Sequence, residues 1–109
     1  MNLAADFASG RLIVFLSGEL DQHEARKTSE RLRALLEEYL PRDCVLELSG
    51  LSFMDSAGIA VIIKASRQIK LIGGRLWIEN PVRQVLRVIE ASGIDRLVPV
   101  KSSIAGGLT

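Results

Sequence analysis

Residues 11–17 read Arg-Leu-Ile-Val-Phe-Leu-Ser, a branched and aromatic run bounded by Ser9-Gly10 and Gly18. Such a run predicts a β-strand. Residues 3–9 read more weakly as an edge strand, and the Ser9-Gly10 turn would join the two as a hairpin. Beyond Gly18 the period changes from two to between three and four. Ala25, Thr28, Leu32, Leu35, Leu36, Tyr39 and Leu40 recur at helical steps, while Lys27, Glu30, Arg31, Glu37 and Glu38 fall on the other face. This is the pattern of an amphipathic cover helix. Asp21 is placed to cap it, with Glu24 three residues later as in a capping box, and Pro41 ends it.

Residues 45–48, Val-Leu-Glu-Leu, are too few for a helix and suit a buried strand. Residues 49–55, punctuated by Gly50, read as a connection. A helical pattern follows over residues 57–72, stopped by Gly73-Gly74. Gly58, Ile62, Ala65, Ile69 and Ile72 share its apolar stripe, and Lys64, Arg67, Gln68 and Lys70 lie outside it. Ala60 also falls outside, with Ile63 at the margin, so both are candidates for a surface that faces a partner. Residues 75–79 predict another strand. Asn80-Pro81 reads as N-cap and first residue of a third helix, with Val82, Val85, Leu86 and Ile89 buried and Gly93 as its stop. Residues 96–100 predict a last strand, and residues 101–109 a flexible tail.

The order β-β-α-β-α-β-α-β, without repeat or linker, predicts one α/β domain over residues 1–109. Its expected architecture is a mixed, mostly parallel sheet backed by helices. Composition narrows the function more than the fold. A hydrophobic fraction of 48% and a charged fraction of 25% are ordinary for a globular domain. The formal net charge of +1, with no basic cluster, argues against a dedicated nucleic-acid surface. No apolar run is long enough to span a bilayer, and the first residues lack a signal-peptide pattern. With a single cysteine, Cys44, no internal disulfide can form, so a reducing cytoplasm is the expected compartment. Cys44 itself reads as a small buried hydrophobe.

The candidate chemistry concentrates at Asp55-Ser56-Ala57-Gly58. Asp55 and Ser56 both suit an N-cap, so a hydroxyl is delivered from a strand onto a helix N-terminus. There it could be a nucleophile, a phosphate site or simply the cap. Nucleophilic catalysis lacks its partners: Met54 stands where a GxSxG elbow needs glycine, and His23 is the only imidazole, placed on a solvated helix turn. No phosphate-binding loop GxxxxGK[ST] occurs, and no cluster has metal-ligand spacing. The residues read as no enzyme, no cofactor and no metal. A binding module with a modifiable serine is what remains. Phosphate there would add about −1.5 to −2 charges at a helix mouth that tolerates them, yet obstruct a partner built against a neutral hydroxyl.

The stretch LSFMDSAG, the helix ending IKLIGG and the earlier SGELDQHEA together resemble the STAS-domain family, in matching order from Phe15 to about Val98. The likeness is strongest to its bacterial anti-sigma factor antagonists of sporulation-type partner switching. That resemblance implies a non-catalytic protein whose unphosphorylated form binds an anti-sigma factor that is also a serine kinase, releasing the sigma factor. It implies Ser56 as phosphoacceptor and a serine phosphatase that regenerates it; joined with Ala60 and Ile63 from the helical pattern, the expected partner surface is Asp21, Asp55, Ser56, Ala57, Ala60 and Ile63. It also implies a monomer without direct nucleic-acid or membrane contact. Alternatives are a STAS module of another switch or of a transporter complex, and, further off, a Ser56-dependent hydrolase.

Overall fold

The computed structural model describes residues 1–102. In chain order the elements are β1 (Asn2–Ala8), β2 (Arg11–Leu20), α1 (Gln22–Tyr39), β3 (Asp43–Met54), α2 (Ser56–Leu71), β4 (Arg75–Glu79), α3 (Arg83–Ser92), a 3-10 turn (Ile94–Arg96) and β5 (Val100–Lys101). The strands form one sheet in the order β1-β2-β3-β4-β5, antiparallel at β1–β2 and parallel elsewhere. The mixed, mostly parallel α/β architecture read from the sequence is therefore the one observed. No helix among the described residues is long and apolar enough to cross a membrane.

Alternation along the strands explains where the core lies. Leu12, Val14, Leu46, Leu48 and Ile78 point to one face and are fully buried with Leu32, Leu36, Ile62, Ile69, Val85 and Ile89 from the three helices. Each such side chain contributes roughly 1.5–3 kcal/mol of burial. The opposite face carries Arg11, Asp43 and Arg75 in one row and Ile13, Val45 and Trp77 in the next. No helix among the described residues covers this second face. Its charged row covers Asp43, which Arg11 and Arg75 engage at 3.2 and 3.1 Å. Burial alone would raise the Asp43 carboxyl. Hydrogen bonds from Arg11 and Arg75, with the charges of Arg75 and Arg42, outweigh that and hold it below its ordinary value.

Several elements depart from expectation. β3 runs over Asp43–Met54, so residues 49–54 are strand rather than connection. They pair with an extension of β2 to Leu20, across register shifts at Phe15/Ser17 and Gly18/Glu19 that erase the two-residue alternation. On α2, Ile72 is 38% exposed, while Ile59 and Val61 are buried. That helix contacts α1, α3 and the sheet, so it buries a wider arc than one stripe. At the end of α1, Leu40 adopts a left-handed φ of 45° as C-cap and is exposed, and Tyr39 stacks on Phe7 with ring centroids 4.7 Å apart. Asn80 is not the cap of α3. Its φ is 55°, its side-chain amide donates to Glu47 at 2.7 Å, and Val82 takes the N-cap position without a side-chain bond. Asn is among the few residues that tolerate left-handed backbone. The last strand is Val100–Lys101, later than residues 96–100, because Ile94–Arg96 coils into the 3-10 turn. Of the tail expected over residues 101–109, positions 103–109 lie outside the described residues.

Candidate functional site

Strands β2 and β3 end side by side, with Leu20 paired to Met54 and the Asp55 N–H donating to the Leu20 carbonyl at 3.4 Å. The chain leaves both strands through an aspartate. Asp21 and Asp55 each hold extended backbone angles and cap the helix that follows. Asp21 Oδ1 accepts from the His23 and Glu24 N–H groups at 2.9 and 3.1 Å. Asp55 Oδ1 accepts from the Ala57 N–H at 2.9 Å. Two capped helix N-termini thus meet at one sheet edge, as the positions of Asp21 and Ser56 after successive strands suggest. Glu24 does not complete a capping box on the Asp21 amide; the box is half formed.

Because Asp55 is the cap, Ser56 is not. It is the first residue of α2, exposed, and its hydroxyl makes no hydrogen bond to any described residue. Its neighbours differ. Ser49 donates to Glu47 at 2.6 Å, and Ser52 donates to the Gly18 carbonyl at 3.0 Å. Burial would raise the Glu47 carboxyl, yet the bonds from Asn80 and Ser49 hold it below its ordinary value. No described side chain accepts a hydrogen bond from the Ser56 hydroxyl, and His23 is exposed with only its backbone N–H used in the Asp21 cap. Cys44 is fully buried and its thiol is pushed up to about 12 by burial, which leaves it a hydrophobe.

Of the remaining candidates, Ala60 is exposed one turn beyond Ser56, Ala57 is half-buried, and Ile63 is partly withdrawn against the core. Ser56, Ala60 and Ile63 follow at helical spacing along one side of α2. Two residues set the position of this segment: Gln84, which the sequence did not single out, and Gly58, which it placed only in the apolar stripe and the serine motif. The Gln84 amide donates to the Met54 carbonyl at 3.0 Å and accepts from the Met54 N–H at 2.9 Å. Gly58 lets α2 lie on Met54: a Cβ there would approach Met54 Cγ to 2.5 Å. Gly58 carried a signal, being a glycine inside a helical pattern, where it normally weakens the helix. Gln84 carried none, since its partner is 30 residues away.

A five-stranded mixed sheet with helices on one face, and a free serine on the helix leaving β3, define a class. The chain belongs to the STAS domain family, whose pattern matches residues 2–106. Among its relatives, the anti-sigma F factor antagonist of Paenibacillus polymyxa is 36% identical over 115 aligned residues, covering 100% of this chain and 95% of that one. The anti-sigma-B factor antagonist of Bacillus subtilis is 27% identical, with 99% of each chain covered. Among solved structures, the anti-sigma factor antagonist SpoIIAA in its unphosphorylated form superposes with a TM-score of 0.79 at 21% identity, covering 96% of this chain and 92% of that one. At that identity the superposition speaks for the fold alone.

Proposed function

We propose that the chain is an anti-sigma factor antagonist. Its unphosphorylated form binds an anti-sigma factor that is also a serine kinase and so frees the sigma factor. Phosphorylation of Ser56 switches this off, and a serine phosphatase restores it. The names of the relatives support the first part of this reading. The observation that carries the Ser56 assignment is the division of labour at the start of α2: Asp55 caps, and Ser56 keeps an exposed, unbonded hydroxyl. The protein acts as a cytoplasmic monomer and as substrate, not enzyme. The Ser56 oxygen attacks the γ-phosphorus of ATP on the partner, the bond to the bridging oxygen breaks, ADP leaves, and the hydroxyl proton passes to a base of the partner.

Asp21, Asp55, Ser56, Ala57, Ala60 and Ile63 form the partner surface in this reading. Before modification it offers two carboxylates beside a neutral hydroxyl and a small apolar strip. Afterwards about two more negative charges stand next to Asp55. The fold tolerates them because the helix N-terminus faces them. A closely packed partner would have to bury an unpaired dianion, which costs several kcal/mol. Incubation with the candidate kinase and labelled ATP tests this. The label should map to Ser56. Ser56→Ala should stay unlabelled yet bind the kinase and release sigma factor constitutively, and Ser56→Asp should bind more weakly with little change in melting temperature. Label on Ser49 or Ser52 would overturn the assignment.

A further inference from the structure

The switch makes no use of a cleft at the opposite end of α2, 14 residues and about 21 Å from Ser56 along the helix axis. It encloses about 530 Å³ between the last turn of α2, the start of β4 and the segment leading into β5. β5 pairs only with Ile78 and Glu79, so the first half of β4 has no strand beyond it among the described residues. Peptide directions alternate along a strand. The Arg75 N–H donates to Arg42 on the β3 side, and the Ile78 N–H donates to Pro99 on the β5 side. The Leu76 N–H and carbonyl therefore face the cleft.

The walls divide by chemistry. Leu76 and Leu97 supply apolar surface, Leu97 being 63% exposed. Arg11, Lys70, Arg75 and Lys101 stand around it, against the single carboxylate of Glu79, which already accepts the Trp77 indole N–H at 2.8 Å. Asp43, behind them, is occupied by Arg11 and Arg75. Lys101 Nζ lies 4.3 Å from the centre of the Trp77 ring. Lys70 has no ion pair among the described residues. Ser66 is a second, independent sign. It lines the cleft, is only 7% exposed, and its hydroxyl makes no hydrogen bond to a described residue. No fully buried side-chain oxygen or nitrogen among the described residues lacks a partner, so the Ser66 oxygen keeps an edge on the cleft where a bound molecule can meet it.

We propose that the cleft is a binding site for a small organic oxyanion, a carboxylate or phosphate monoester with a short apolar body. The acid group meets Lys70, Arg75 and Lys101, the body lies on Leu76 and Leu97, and the Ser66 hydroxyl donates to the bound molecule. The volume is that of a small-molecule site. The site stands independently of the Ser56 switch.

Trp77 is the only tryptophan in the chain, so its emission reports on the cleft in the intact protein. The probes are hexanoate, hexyl phosphate, inorganic phosphate and hexanol. At least one of the first two should shift the emission saturably, and which one does so identifies the head group. Inorganic phosphate and hexanol should each bind at least about tenfold more weakly, because each lacks one half of the ligand. Lys70→Ala, at an exposed position, should weaken binding about tenfold, as expected for a lost charge-assisted contact. Amide shifts in a nuclear magnetic resonance titration should centre on Ser66 and Leu76. Equal binding of hexyl phosphate and inorganic phosphate, unchanged affinity in Lys70→Ala, or shifts scattered over the surface would overturn the proposal.

Discussion

Replacing Gly58 by alanine tests how tightly the end of β3 is coupled to the helix that carries Ser56. An added Cβ would lie 2.5 Å from Met54 Cγ, 3.1 Å from Met54 Sδ and 3.3 Å from Leu20 Cδ2. Comfortable carbon contacts begin near 3.5 Å. Neither neighbour has room to retreat, because Met54 and Leu20 are both 0% exposed and the Met54 backbone is held by Gln84. Overpacking of this kind costs about 1–3 kcal/mol, and the closeness of the contact places it in the upper half. Against it, alanine regains about 1 kcal/mol of helix propensity. The net loss should be about 1–2 kcal/mol, or on the order of 5–10 °C in melting temperature for a domain of this size. Urea unfolding of a double-mutant cycle with Met54→Ala gives the decisive reading. With the methionine shortened, the clash disappears and Gly58→Ala should gain about 1 kcal/mol instead of losing stability. The same penalty in both backgrounds, or no penalty in either, would refute the packing argument.

Two further outcomes follow from charged groups. Asp21→Ala removes a side chain that holds two amides and should lower stability by about 1 kcal/mol, whereas Asp21→Asn should melt like the parent, since asparagine caps as well. If the Asp21 carboxylate contacts a basic group of the anti-sigma factor, Asp21→Asn should still bind it more weakly, with added salt narrowing the gap; equal binding measured by calorimetry would return Asp21 to capping alone. Asp43 titrates below its ordinary value of 3.8, so its ion pairs contribute stability above that pH that is lost as pH falls through the folded value. Asp43→Asn should therefore be less stable near neutrality, and the two stability curves should converge under acid; parallel curves would contradict the role given to Arg11 and Arg75.

Much of the fold was legible because single periods run unbroken through the first half of β2, through α1 and through β4. It failed where tertiary pairing overrides local pattern. The second half of β3 contains Ser49, Gly50 and Ser52 and looks like a loop, yet it is strand because β2 continues beside it through two register shifts. Asn80 next to Pro81 looks like a helix start, yet its side chain is drawn to Glu47, 33 residues away. At the site, Asp55 and Ser56 compete for one cap, and both residue types suit it. Only the bond from the Ala57 amide to Asp55 decides the contest. The role of Gln84 had no local trace at all, because a lone glutamine on an amphipathic helix looks like any solvated residue.

That glutamine has a consequence for how the molecule meets others. β4 stops opposite Glu47, so the rest of β3 runs on past its neighbour towards Ser56. Such an overhang is what foreign chains extend, turning a working surface into an adhesive one. The Gln84 carboxamide imitates one peptide unit there, giving one donor and one acceptor to Met54. It is a counterfeit strand one residue long. With the backbone at Met54 answered from within, a visitor to this end of the sheet finds side chains to read and no ladder to join at that residue, so it can dock and leave without being stitched in.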